Sequence, residues 1–148
     1  MNTQHTATLC ALRDALQQGA TTAENAVNAC LERIQQTEPT VQALVHIDGD
    51  TARETARALD ANGPSPQQPL WGVPLVLKDL LATRGAPTTC CSKMLPTFTP
   101  FYNAHVVDRL QAAGAIVLAK SNMDEFAMGS STENSAVQLT KNPWNTSR

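Results

Sequence analysis

Two uninterrupted apolar runs of strand length, Val73–Leu77 and Ala115–Ala119, enclose a helical stretch, and this order constrains the fold more than any other feature of the chain. Apolar runs without polar alternation fit strands covered on both faces. Between them, Asn103 stands where a helix N-cap belongs. Val106, Val107, Leu110 and Ala113 then share one helical face, and Gly114 closes the segment. Strand, helix, strand predicts a parallel pair joined by a right-handed crossover, and so an α/β fold.

Upstream, Leu9, Leu12 and Leu16 predict a short amphipathic helix over 8–18, with Gly19 as its stop. Thr21-Thr22-Ala23-Glu24 has the form of a capping box, and Val27, Cys30, Leu31 and Ile34 carry the helical period up to Pro39, where the helix is expected to end. The run 42–47 reads as an edge strand ended by Asp48-Gly49. A third helix is predicted over 51–61, with Ala52, Ala56 and Leu59 on one face and Asp50 as N-cap. The stretch NGPSPQQP, 62–69, is a connector of turn formers. The expected organisation is therefore a helical region 1–61, the connector 62–69 and a second region 70–148, all parts of one domain.

Charge and composition exclude several function classes. Eleven basic residues are offset by 13 acidic ones, giving a net charge of -2 without a Lys/Arg cluster, so no electrostatic footprint for nucleic acid is present. Any RNA contact is expected through a partner. The N-terminus has no basic stretch ahead of an apolar one, and the longest apolar run, 112–119, is far short of a membrane span. The expectation is a soluble cytoplasmic chain. Cys10, Cys30, Cys90 and Cys91 show no CxxC spacing and no paired histidines, which argues for reduced thiols and no metal site.

Two lysines stand at strand ends: Lys78 after Val73–Leu77, and Lys120 after Ala115–Ala119. In α/β sheets, ligand-binding side chains gather at the carboxyl ends of strands. The ordinary alternative is that each lysine extends its amine into water. The functional alternative is an amine held in a closed apolar pocket, where its pKa falls by up to about 3 to 5 units and it serves as a base. Position alone leaves both open.

The wording of the surrounding sequence favours the second. GVPLVLKD at Gly72–Asp79, TTCCSKML at Thr88–Leu95, and KSNMDEFAMGSSTENS at Lys120–Ser135 followed by KNPWNTSR together resemble the amidase signature family. The long third block is most similar to its tRNA-dependent branch, the glutaminase components of glutamyl- and aspartyl-tRNA amidotransferases. The resemblance is strong from Trp71 to Arg148 and weak over the N-terminal helices. Departures are Leu80 where the family is commonly polar, Cys91 where it has an alanine-like position, and Val137-Gln138-Leu139 in place of an aromatic-glycine-proline sequence.

That resemblance implies an amidase-signature fold with a mixed sheet, of which these residues supply the N-terminal helices and first strands. It implies Ser-cisSer-Lys chemistry with Lys78 as the base, shielded from water. Asp79 is read as fixing the local loop, and Ala127, Met128 and Gly129 as lining the acyl pocket. Ordinary core packing in a short helix 123–128 is the competing reading for Phe126 and Met128, with Ser121, Asn122 and Asp124 as candidate caps. The resemblance also implies glutamine as ammonia donor, partner subunits B and C, tRNA reached only through the complex, and ATP with magnesium used by a partner subunit, with no cofactor on this chain. The family's two serines follow the NPW-x-x-SR stretch, which here ends at Arg148. The 148 residues alone are therefore expected not to hydrolyse glutamine. A general amidase acting on small amides and a noncatalytic fragment are the alternatives.

Overall fold

The computed structural model describes residues 8–147. Its elements run α1 (Leu9–Gln17), α2 (Ala23–Val41), β1 (Leu44–Ile47), α3 (Gly49–Asn62), β2 (Pro74–Lys78), α4 (His105–Ala112) and β3 (Ile116–Ser121). These residues form two compact units interleaved in sequence. One holds 8–35 together with 48–75 and 108–118, and the other holds 36–47, 76–107 and 119–147.

The first unit is mainly helical, with Leu12, Leu16, Val27, Ala52, Ala56, Trp71 and Ile116 in its core. Its helix starts differ from the expected ones. Thr22 rather than Thr21 accepts from the N–H three residues on, that of Asn25. Glu24 pairs with Arg57 at 2.7 Å. The free N–H groups of Ala23 and Glu24 are met instead by both carboxylate oxygens of Asp60 at the far end of α3, a tertiary cap that no local motif announces. α3 begins at Gly49, capped by Asp48 through the Thr51 N–H, two residues before the expected start. Pro39 lies inside α2 and does not end it.

Gly114 fixes the turn between α4 and β3. It sits at φ +89, and a Cβ there would lie 2.8 Å from Trp71 Cα, so both the left-handed backbone and the close approach require glycine.

The three strands form one sheet of order β1-β3-β2. β1 is an edge strand, as expected, and runs antiparallel to β3 with Ile47 opposite Ala119. Ile116 N donates to Val73 O at the start of the β2–β3 pair and Asp79 N to Ser121 O at its end, so these two strands run in the same direction. The parallel pair joined through α4 matches the expectation, and the sheet is mixed. Two details differ. β3 continues through Lys120 and Ser121, which places Lys120 within the strand rather than after it. β2 is not covered on both faces: Leu77 is buried while Val76 and Lys78 are exposed, the alternation of an edge strand with one free face.

Candidate active site

The candidate site lies wholly within the second unit and is built around the carboxylate of Asp79. Asp79 is fully buried at the end of β2. Its Oδ2 accepts from Thr89 N at 3.0 Å, Thr89 Oγ1 at 2.6 Å and Cys91 N at 3.2 Å. Its Oδ1 accepts no hydrogen bond among the described residues and faces the Lys120 ammonium 3.7 Å away. Asp79 thus folds the segment 88–92 back against the strand end. The reading of Asp79 as the fixer of the local loop agrees with this geometry.

Lys120 is 1% exposed. Its amine donates to Leu81 O at 2.9 Å, Pro87 O at 3.2 Å and Thr88 Oγ1 at 2.8 Å. Burial pushes the ammonium below its ordinary value, and the Asp79 charge opposes that shift. Two carbonyls, a hydroxyl and the nearby Asp79 carboxylate form a set of partners that suits an ammonium, which has three N–H groups to give. Lys120 is thus placed to tie these loop segments together.

Lys78 stands differently. Sequence reasoning expects its amine to be shielded, and the structure corrects this: Lys78 is exposed. The physical reason is the strand period. Leu77 turns into the core, so its neighbour Lys78 projects from the opposite face, which the described residues leave open. The buried lysine of the pair is Lys120.

The pocket loop is tied to the same hub. Cys91 Sγ lies 3.4 Å from Asn122 Oδ1, Ser92 Oγ donates to Glu125 Oε1 at 2.5 Å, and Phe126 N donates to Cys90 O at 3.1 Å. Residues 123–128 do not form the expected helix. A single 3-10 turn, Glu125–Ala127, takes its place, with Phe126 at φ 50 and Ala127 at φ 63. Cys90 and Cys91 also have positive φ, 52 and 47. Two adjacent pairs of non-glycine residues in the left-handed region mark two strained loops braced against each other. Phe126 and Met128 are exposed, not core. Ala127 is half-buried and Gly129 exposed. Burial raises the Cys91 thiol above its ordinary range, which keeps it protonated at neutral pH.

Asp124 shapes the rest of that loop. It gives the 3-10 turn no side-chain cap. Instead its carboxylate accepts from Ser131 N, Thr132 N and Asn134 N at 3.0, 3.0 and 2.8 Å. Those backbone donors, Asn134 first, hold its pKa below the usual 3.8. A Cβ at Gly129 would meet Asp124 Cγ at 2.5 Å, so only glycine lets the loop close on this carboxylate. A depressed folded pKa stabilises above the unfolded value, and that contribution is lost as pH falls through the folded one. Asp124→Asn is therefore expected to flatten the loss of stability below about pH 4, measured by urea unfolding at pH 5 and pH 3. A variant with the wild-type acid slope would count against this assignment.

Asn122 completes the frame. It accepts from Ser135 Oγ and donates to Gln138 O and Thr140 Oγ1, anchoring the chain beyond the loop. Sequence reasoning did not foresee the roles of Lys120, Asn122 and Asp124 as loop anchors. The one available signal was their position at the end of an apolar strand, where polar side chains turn inward only if loops supply partners. No group of three or more His, Cys, Asp and Glu among the described residues could hold a metal ion, and no described helix is long and apolar enough to cross a membrane.

The family model described as Amidase matches residues 25–148. The A-subunit of the glutamyl-tRNA(Gln) amidotransferase of Nitratidesulfovibrio vulgaris (strain DP4) is 57% identical over all 148 residues, which span 30% of that protein. The solved structure of the corresponding glutamyl-tRNA(Gln) amidotransferase polypeptide from Thermotoga maritima is 31% identical, with a TM-score of 0.72 over 98% of this chain and 29% of that one. A structure from a vestigial protein complex bearing on the origins of an s-triazine catabolic enzyme superposes with a TM-score of 0.89 at 34% identity, over 96% of this chain and 32% of that one.

Proposed function

Because this chain belongs to the Amidase family, we propose that it is the N-terminal part of the glutaminase component of a tRNA-dependent amidotransferase, with Lys78 as the base of its amide-hydrolysing site. The observation that carries the reading is the 57% identity, along the whole chain, to the glutamyl-tRNA(Gln) amidotransferase relative from Nitratidesulfovibrio vulgaris. Structural likeness alone is less discriminating, since the 0.89 superposition is with a protein of a different description.

In this reading a relay serine passes the proton of a nucleophilic serine to the Lys78 amine, the nucleophile attacks the glutamine carboxamide, and ammonia leaves. Water then releases glutamate. Both serines belong to residues outside these 148, and those residues also cover the exposed face of β2, because an amine serves as a base only where water is excluded. Ala127, Met128 and Gly129 line the acyl pocket. The Asp79–Cys91 and Cys90–Phe126 hydrogen bonds support this, since they link the Lys78 strand end to that loop. The released ammonia converts Glu-tRNA or Asp-tRNA on partner subunits B and C, with ATP and magnesium used through a partner subunit, in the cytoplasm.

The test uses two proteins: the 148-residue chain, and a chimera in which it replaces the matching segment of the Nitratidesulfovibrio vulgaris relative, expressed with its partners. The chain alone should release no ammonia from glutamine above buffer, and the chimera should restore glutamine hydrolysis and ATP-dependent tRNA amidation. Hydrolysis of simple amides by the chimera without glutamine would transfer the assignment to a general amidase.

A further inference from the structure

We propose that Lys120 is the positioning residue for Lys78, an inference that rests on the reading of Lys78 as the base. Lys78 leaves β2 on an exposed face, so its direction is set by the backbone around it. Immediately after it the chain is held twice by one buried ammonium. Lys120 Nζ lies 3.7 Å from Asp79 Oδ1 and donates to Leu81 O at 2.9 Å, while Leu81 N in turn donates to Lys78 O at 2.9 Å. The bonds to Pro87 O and Thr88 Oγ1 extend the same anchor to the segment whose next residues, Thr89 and Cys91, close on Asp79 Oδ2.

A single side chain with three N–H groups therefore joins the turn after Lys78 to the loop that braces Phe126. Methionine has the length of lysine and no donor, and glutamine has two donors on a shorter stem, so neither reproduces the arrangement. In this role Lys120 acts through geometry.

The informative variant is the double one, Asp79→Asn with Lys120→Met, which removes both buried charges together so that neither is left unpaired, while abolishing the three ties to Leu81, Pro87 and Thr88. In the 148-residue chain, its Leu81 amide should exchange about 10-fold faster than in wild type, with the Ala26 amide of α2 unchanged. In the chimera, kcat for glutamine hydrolysis should fall about 100-fold with KM within about threefold, as expected for a misplaced base. Unchanged Leu81 exchange, or a kcat restored to wild type by the neutral pair, would show that Lys120 only balances charge, and the proposal would fail with the Lys78 reading intact. Full activity in Lys78→Ala would instead overturn that reading and this inference with it.

Discussion

Asp79→Ala is expected to lower the free energy of unfolding by about 3–5 kcal/mol, because it leaves the Lys120 ammonium buried without its counter-charge. Two further losses act in the same direction: the N–H groups of Thr89 and Cys91 lose their acceptor, and the backbone they belong to is held at positive φ at Cys90 and Cys91, a conformation that persists only while its surroundings impose it. Set against a typical total of about 5–15 kcal/mol, a loss of this size removes much of the margin of the fold. Denaturant unfolding followed by fluorescence measures it directly. Asp79→Asn, which keeps the shape, should fall between wild type and Asp79→Ala. If Asp79→Ala unfolds within about 1 kcal/mol of wild type, the ion pair is not internal and the hub described above is wrong.

The contrast between the two lysines explains how far the sequence could be read. Apolar periodicity located every α-helix and strand of the described residues, because burial of a face is a local pattern. It failed at boundaries where the partner is distant in sequence: Asp60 caps α2 from 36 and 37 residues away, and Pro39 is accommodated inside α2. It also failed on which lysine is buried. Lys78 and Lys120 both follow apolar runs, and nothing in those runs tells that β2 is an edge strand with a free face whereas β3 is the central one. Burial of Lys120 depends on oxygens from residues 81, 87 and 88, contributed by a loop whose course no local pattern gives. The motif GVPLVLKD ends on a lysine and an aspartate. The structural weight falls on its aspartate, and the chemistry is proposed for its lysine.

That division yields the second large effect. On the proposed function, Lys78→Ala in the chimera should reduce glutamine hydrolysis by about 10²–10⁴-fold, the usual contribution of a positioned base, while in the 148-residue chain it should leave stability within about 0.5 kcal/mol, because Lys78 is exposed there and no buried partner is orphaned among the described residues. Asp79→Ala should show the reverse balance: lost stability first, with activity falling as a consequence. The two variants therefore separate a catalytic amine from a structural carboxylate one residue away. Ammonia release at saturating glutamine, paired with denaturant unfolding of each variant, makes the comparison. A Lys78→Ala protein that keeps its ammonia release would remove the base from this strand end. One that loses stability as Asp79→Ala does would show that the strand end itself, and not the amine, was being measured.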